Sequence, residues 1–257
     1  MFFDSVPIWG LFLATIVLVV LALEAGMLVG RLRQTQAGGK AEVSGAMVGA
    51  TMALLAFMLA FTFNGAAGRH DVRKAMVIEE TNAIGKTWRR AGFLAEPYRS
   101  DIRGLLRNYV DVRVKAATGK MELGEAVQRS EVLHGKMWAV AEEVNKKDVG
   151  GRADALFIQA LDEVIDLHLK RVTVGSRSRV PPSIWATLYL LMAVGMVMMG
   201  IQAGLSGVRR HIGMDLALAI SFSVVLFSIV DLDRPQEGLL TVSQQAMEEL
   251  QIRLNAK

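Results

Sequence analysis

Four histidines, His70, His134, His168 and His211, are the side chains best suited to move a proton or hold a metal near neutral pH, and they are scattered along the chain. None sits in an H-E-x-x-H pair, and neither a phosphate-cradling glycine loop nor a nucleophile elbow occurs. His168 lies beside the apolar stripe of its helix, where a packed core histidine is expected rather than a ligand or base. Cysteine is absent, which removes disulfides and thiolate metal sites. The expectation is a protein that is not an enzyme and carries no cofactor or metal.

A second set of residues has spacing suited to ion passage. Phe57 and Phe61 are one helical turn apart, so identical helices from several copies could stack their rings around an axis. Such rings make a constriction that stops ions by dewetting, although lipid-facing or core aromatics would show the same spacing. Asn64 and Gly65 follow as a flexible polar exit, and then a basic run of Arg69, His70, Arg73 and Lys74. That run is either a collar whose potential concentrates anions or a set of helix-surface charges at the headgroup boundary. Glu24 lies within an apolar stretch, where an ionisable group is a functional candidate. With Arg31 and Arg33 two turns on, it reads equally as a snorkelling interface carboxylate.

The elements that must carry these residues are membrane helices. Of the 257 residues 52% are hydrophobic and only 21% charged, with a mean hydropathy of +0.35, too apolar for an ordinary soluble domain. Stretches 8–30, 44–66, 183–205 and 212–230 are each about the ~20 residues that a helix needs to cross the hydrocarbon layer. The first is taken as a retained span, because "MFFDSVP" has no basic residue and no small-residue cleavage site follows. The net charge of +4 fits basic residues gathered at lipid headgroups and does not argue for nucleic acid.

These spans give a division into a first membrane hairpin (1–66), a helical extramembrane region (67–182), a second hairpin (183–230) and a C-terminal tail (231–257). The middle region carries helical stripes, Ile102, Leu105, Leu106, Tyr109 and Val110 on one stretch, Phe157, Leu161, Val164, Ile165 and Leu169 on another. Breaks are expected at Pro97, Gly119, Gly150–Gly151 and Pro181–Pro182, the first helix continuing span two. In the tail, Ser243 is expected to cap a helix bearing Met247, Leu250 and Leu254. Small residues recur every four positions at Gly45, Gly49 and Ala53, at Gly26 and Gly30, and at Gly200 and Gly204, so helix backbones can approach closely there.

The layout of two spans, a helical insert and two more spans resembles that of bestrophins, and two short elements add to the likeness. Bestrophins follow the second span with a pattern close to F-R-N-x-x-x-Y-D-R-W-W-E-x-R-K-x-W-G. Here Phe61-Thr62-Phe63-Asn64 is followed by Arg69 at the matching distance, then Arg73-Lys74 one residue early and "EETNAIGKTW" further on. The family's first arginine is Thr62 and its tryptophan pair is His70-Asp71. After span four, Asp231-Leu232-Asp233-Arg234-Pro235-Gln236-Glu237-Gly238 is similar to the D-R-P-x-x-G form of a bacterial bestrophin-like branch.

The resemblance implies an all-α homo-oligomer, a pentamer, conducting small ions passively through a pore lined by span two. Phe57 and Phe61, with Ala53 one turn back, would form the neck, and the helical region a vestibule. Bestrophins include anion- and cation-selective members. The alternative is a non-conducting oligomeric scaffold or sensor whose helical region binds a partner. On sidedness two arguments oppose each other. Arg31, Arg33, Lys40, Arg209 and Arg210 in the short loops, against Asp4 in the N-terminal tail, put those loops in the cytoplasm by the positive-inside rule. Bestrophins have the reverse arrangement, and the flanks of the middle region are basic too; the expectation is a multi-pass inner-membrane protein with its helical region in the cytoplasm.

Overall fold

The computed structural model describes residues 6–36, 45–147, 151–177, 179–206, 212–234 and 238–256. Asp4, Lys40, Gly150, Arg209, Arg210, His211 and Pro235, on which the sidedness argument, one expected break and part of the post-span motif rest, lie outside the described residues. The described residues form eight helices and no strands: α1 (Ile8–Gln36), α2 (Gly45–Ala91), α3 (Tyr98–Ala117), α4 (Leu123–Lys147), α5 (Arg152–Arg177), α6 (Pro182–Leu205), α7 (Ile212–Asp233) and α8 (Gln245–Asn255). Four of them, α1, α2, α6 and α7, are long and apolar enough to cross a membrane, matching the four expected spans. Within one chain only 22% to 33% of each apolar window is buried, so most of that surface is left for lipid or for other copies.

The breaks follow local chemistry. No proline interrupts Gly45 to Ala91, so α2 continues for 47 residues out of its apolar part, unbroken through Asn64 and Gly65, where the sequence suggests a flexible exit. Pro97 precedes α3. Gly119, at φ +69, makes the turn towards α4 in a backbone region that side chains rarely adopt. Pro181 and Pro182 start α6 with proline in the first turn, where the missing N–H costs nothing. For α8 the cap differs from expectation: Gln244 is the N-cap and makes no side-chain cap bond, while Ser243 Oγ accepts from the Gln245 N–H at 3.4 Å.

The helices fall into two compact units, residues 1–70 with 179–241, and 71–178 with 242–257. In the first, α1 packs along α6 and against α7. Gly26 and Gly30 face Gly200 and Gly204: a Cβ on Gly26 or Gly200 would overlap the carbonyl oxygen of Val197 or Leu23 across the seam. Backbone thus meets backbone, as the four-residue glycine spacing in α1 and α6 implies. Beside it the Thr15 and Tyr189 hydroxyls hydrogen-bond at 3.1 Å, and Leu23, Leu55, Leu188, Met192, Met196 and Leu226 are buried in the unit's core. The small-residue stripe of α2 behaves differently: Gly49 and Ala53 are exposed, and a Cβ on Gly49 would meet nothing within 4 Å.

In the second unit, α3, α4, α5, α8 and the residues of α2 beyond His70 bury Ile84, Ile102, Leu106, Met137, Phe157, Leu161 and Leu250. The amphipathic stripes seen in the sequence supply that core, and the C-terminal helix closes it through Met247, Leu250 and Leu254.

Candidate pore element and buried polar cluster

In the apolar part of α2, Val48, Leu55, Leu59, Thr62 and Ala66 are buried, which turns Ala53, Phe57, Ala60, Phe61 and Asn64 outward. Phe57 and Phe61 are 57% and 64% exposed, with ring centroids 4.6 Å apart and planes inclined at 45°. They therefore touch each other and take no part in the core of their own chain. The face they share with Ala53 and Asn64 is free for lipid or for a second copy.

The basic run does not stay together on that face. Arg69 is half-buried, with its Nε 3.5 Å from Asp233 Oδ1 at the end of α7. His70 is half-buried, Arg73 is 5% exposed, and Lys74 is exposed. A helical turn of 3.6 residues puts Arg69 and Arg73 on one side and leaves Lys74 on another. The positive potential expected of a collar is thus partly cancelled by Asp233. Glu24, in the middle of α1, is half-buried.

The element after α7 is a buried tie. Asp231 accepts the N–H groups of Leu239 at 2.8 Å and Leu240 at 3.1 Å, one on each carboxylate oxygen. Asp233 accepts the Val180 N–H at 3.0 Å, and Arg234 donates to the Val6 carbonyl at 2.8 Å. Gly238, at φ +94, is required here, because a Cβ would overlap the Asp231 carboxylate. Asp231 sits at the end of a span in the sequence and suggests an interface residue, but it is a buried backbone acceptor.

The second unit holds a constellation that the sequence reading does not bring together. Glu80 of α2 is fully buried, with Arg113 Nε 3.2 Å from its Oε1 and an Arg171 guanidinium on its Oε2. The Tyr109 hydroxyl donates to Glu80 and lies 3.0 Å from His168 Nδ1. His134 packs edge-on to His168 with centroids 4.8 Å apart and 4.7 Å from the Tyr109 ring. Arg171 also donates to the Gln244 side chain at 2.7 Å, ahead of α8. Burial opposes the charge on Glu80, yet Arg113 and Arg171 overcome it and hold the carboxyl down to about 2. Burial, the charge on Glu80 and its hydrogen bond push the Tyr109 phenol up.

The signal was present in the sequence. Glu80, Tyr109, Arg113 and His168 fall on the apolar stripes of their helices, and a charge on a core-facing stripe must find a partner. Among the described residues no group of three or more His, Asp or Glu side chains is placed to hold a metal ion.

The Bestrophin-like domain matches this chain over residues 11–247. The chain belongs to the bestrophin-like family. The crystal structure of a mutated bacterial bestrophin homologue from Klebsiella pneumoniae covers 96% of this bestrophin-like chain and 99% of its own, at a TM-score of 0.66 and 12% sequence identity. At that identity the likeness is one of fold, and it spans the membrane helices and the helical insert of the bestrophin-like protein alike. No curated protein matches it.

Proposed function

We propose that this bestrophin-like protein is a passive channel for small ions, assembled as a homo-oligomer, a pentamer, around a pore lined by α2. The observation that supports this most is the outward face of α2: Phe57 and Phe61, exposed and in mutual contact, in line with Ala53 and Asn64. Placed around an axis, the rings form an apolar neck too narrow and dry for hydrated ions at rest. Gly49 and the alanines beside it let neighbouring copies approach closely. Beyond the neck, Lys74 is exposed and adds positive charge near the ion path, while Arg69, held by Asp233, and the buried Arg73 brace the helix. Glu24 belongs to α1, outside the proposed pore. The bilayer is the inner membrane, with the helical unit in the cytoplasm.

Purified protein in planar bilayers is expected to conduct, and Phe57→Ala with Phe61→Ala is expected to raise conductance and leak by widening and wetting the neck. No conductance from the native protein, or the same conductance in the double variant, would overturn this reading. A reconstruction with the two rings facing lipid would leave the oligomeric scaffold as the better account.

A further inference from the structure

The cluster around Glu80 has more positive than negative charge, and its hydrogen-bond order can be followed atom by atom. Tyr109 has one hydroxyl proton, and it goes to Glu80 Oε1. The 3.0 Å contact between Tyr109 and His168 Nδ1 is therefore an N–H of a neutral ring donating to the phenol oxygen. That tautomer leaves His168 Nε2 as a bare lone pair, and this atom is buried and has no hydrogen-bond partner, as is His134 Nε2. Both residues are more than nine-tenths buried. A proton added to either neutral ring brings a positive charge to a site where one carboxylate already serves two guanidiniums.

We propose that His134 and His168 form a proton-operated lock on the helical unit: neutral, they hold α2, α3, α4 and α5 together around Glu80, and protonated, they release them. The charged and titratable groups facing the two rings are Glu80 from α2, Tyr109 and Arg113 from α3, and Arg171 from α5, beside His134 from α4 and His168 from α5 themselves. The α8 side contributes Gln244, which is neutral.

Burial first, and then Arg113, hold His168 down to about 3; for His134 burial again leads, and the ring is held down to about 4. Glu80 pulls both the other way and is outweighed. In the opened unit each ring returns to its ordinary value of 6.5. The native form binds fewer protons, so the stability held by the neutral rings is complete above 6.5 and is lost as the pH falls towards 4. Glu80 adds its own loss only below 4.5, which leaves the interval between 6.5 and 4.5 to the histidines.

The test uses the full chain in lipid nanodiscs, with amide hydrogen exchange of α3, α4 and α5 corrected for intrinsic rates. Between 6.5 and 4.5 the opening equilibrium is expected to rise on the order of a hundredfold per pH unit, because two protons are taken up. His168→Gln reduces this to about tenfold per unit, and His134→Gln with His168→Gln flattens it. A native protein whose exchange is flat with pH, or a double variant that keeps the native slope, would overturn the lock. Ring nuclear magnetic resonance on histidine-labelled native protein needs no variant. Both rings are expected to stay neutral at pH 5, and a ring titrating near 6.5 refutes the proposal.

Discussion

Gly200→Ala puts the glycine seam between α1 and α6 under a direct load. The added Cβ would overlap the Leu23 carbonyl oxygen and lie 2.9 Å from Met27 N and 3.0 Å from Gly26 Cα. All three are backbone atoms of α1 and cannot rotate away. Reaching ordinary contact at about 3.5 Å therefore moves α1 and α6 apart by roughly 1 Å, along a seam that Gly30 and Gly204 share one turn on. Overpacking of this kind costs about 1 to 3 kcal/mol, and the better helix propensity of alanine returns up to about 1 kcal/mol. The expected net loss is about 1 to 2 kcal/mol, a fall in melting temperature of roughly 2 to 8 °C for a chain of this size. Gly135→Ala in α4 is the control, since nothing lies within 4 Å of its Cβ, and it should be neutral or stabilising. Gly26→Ala added to Gly200→Ala should cost less than a second full penalty, because the first substitution has already parted the helices. Thermal unfolding in detergent, followed by circular dichroism, reads the native protein, the three single variants, Gly26→Ala among them, and the double variant. The reasoning is wrong if Gly200→Ala melts with Gly135→Ala, or if the two seam substitutions add fully.

Glu80→Gln keeps an acceptor for Tyr109 but leaves Arg113 and Arg171 buried without an anion, and should destabilise the helical unit by about 3 to 5 kcal/mol in hydrogen exchange. Gly238→Ala should cost about 2 to 4 kcal/mol in thermal unfolding, because it strains a left-handed residue and displaces the Asp231 carboxylate from two N–H groups. Asp233→Asn should lower stability by only about 1 kcal/mol for the partly exposed Arg69 pair, with the Val180 N–H still accepted by the amide oxygen. Gly49→Leu should leave the melting of the single chain unchanged and lower the subunit number seen by native mass spectrometry, since its surroundings within one chain are empty.

The four spans and the helical insert could be read from the sequence because length, apolarity and proline positions are local properties. The pairing of helices was not local. Four-residue glycine spacing says that a backbone comes close without saying whose, and the same pattern serves a tight seam in α1 and α6 but an open face in α2. The direction of Phe57 and Phe61 away from their own core depends on Leu55 and Leu59 being buried, which a run of apolar residues does not reveal. The Glu80 cluster was hidden for another reason. "EETN" reads as a solvated helix face, and only the position of Glu80 between Val77 and Ile84 marks it as inward. The basic run was legible as charge, but its division between Asp233, burial and solvent was not.

The partners of α1 carry a consequence for how the chain is made. Its closest neighbours, α6 and α7, begin at Pro182 and Ile212. During synthesis the first span must wait in the bilayer, its glycine seam bare, until α6 has followed. The helical unit likewise waits for α8, which follows α7 and closes its core. Each unit thus reaches its native packing only after its late helices, α6 and α7 in one and α8 in the other, have been made, and a truncation after α5 would strand α1 without the surface it was shaped to meet.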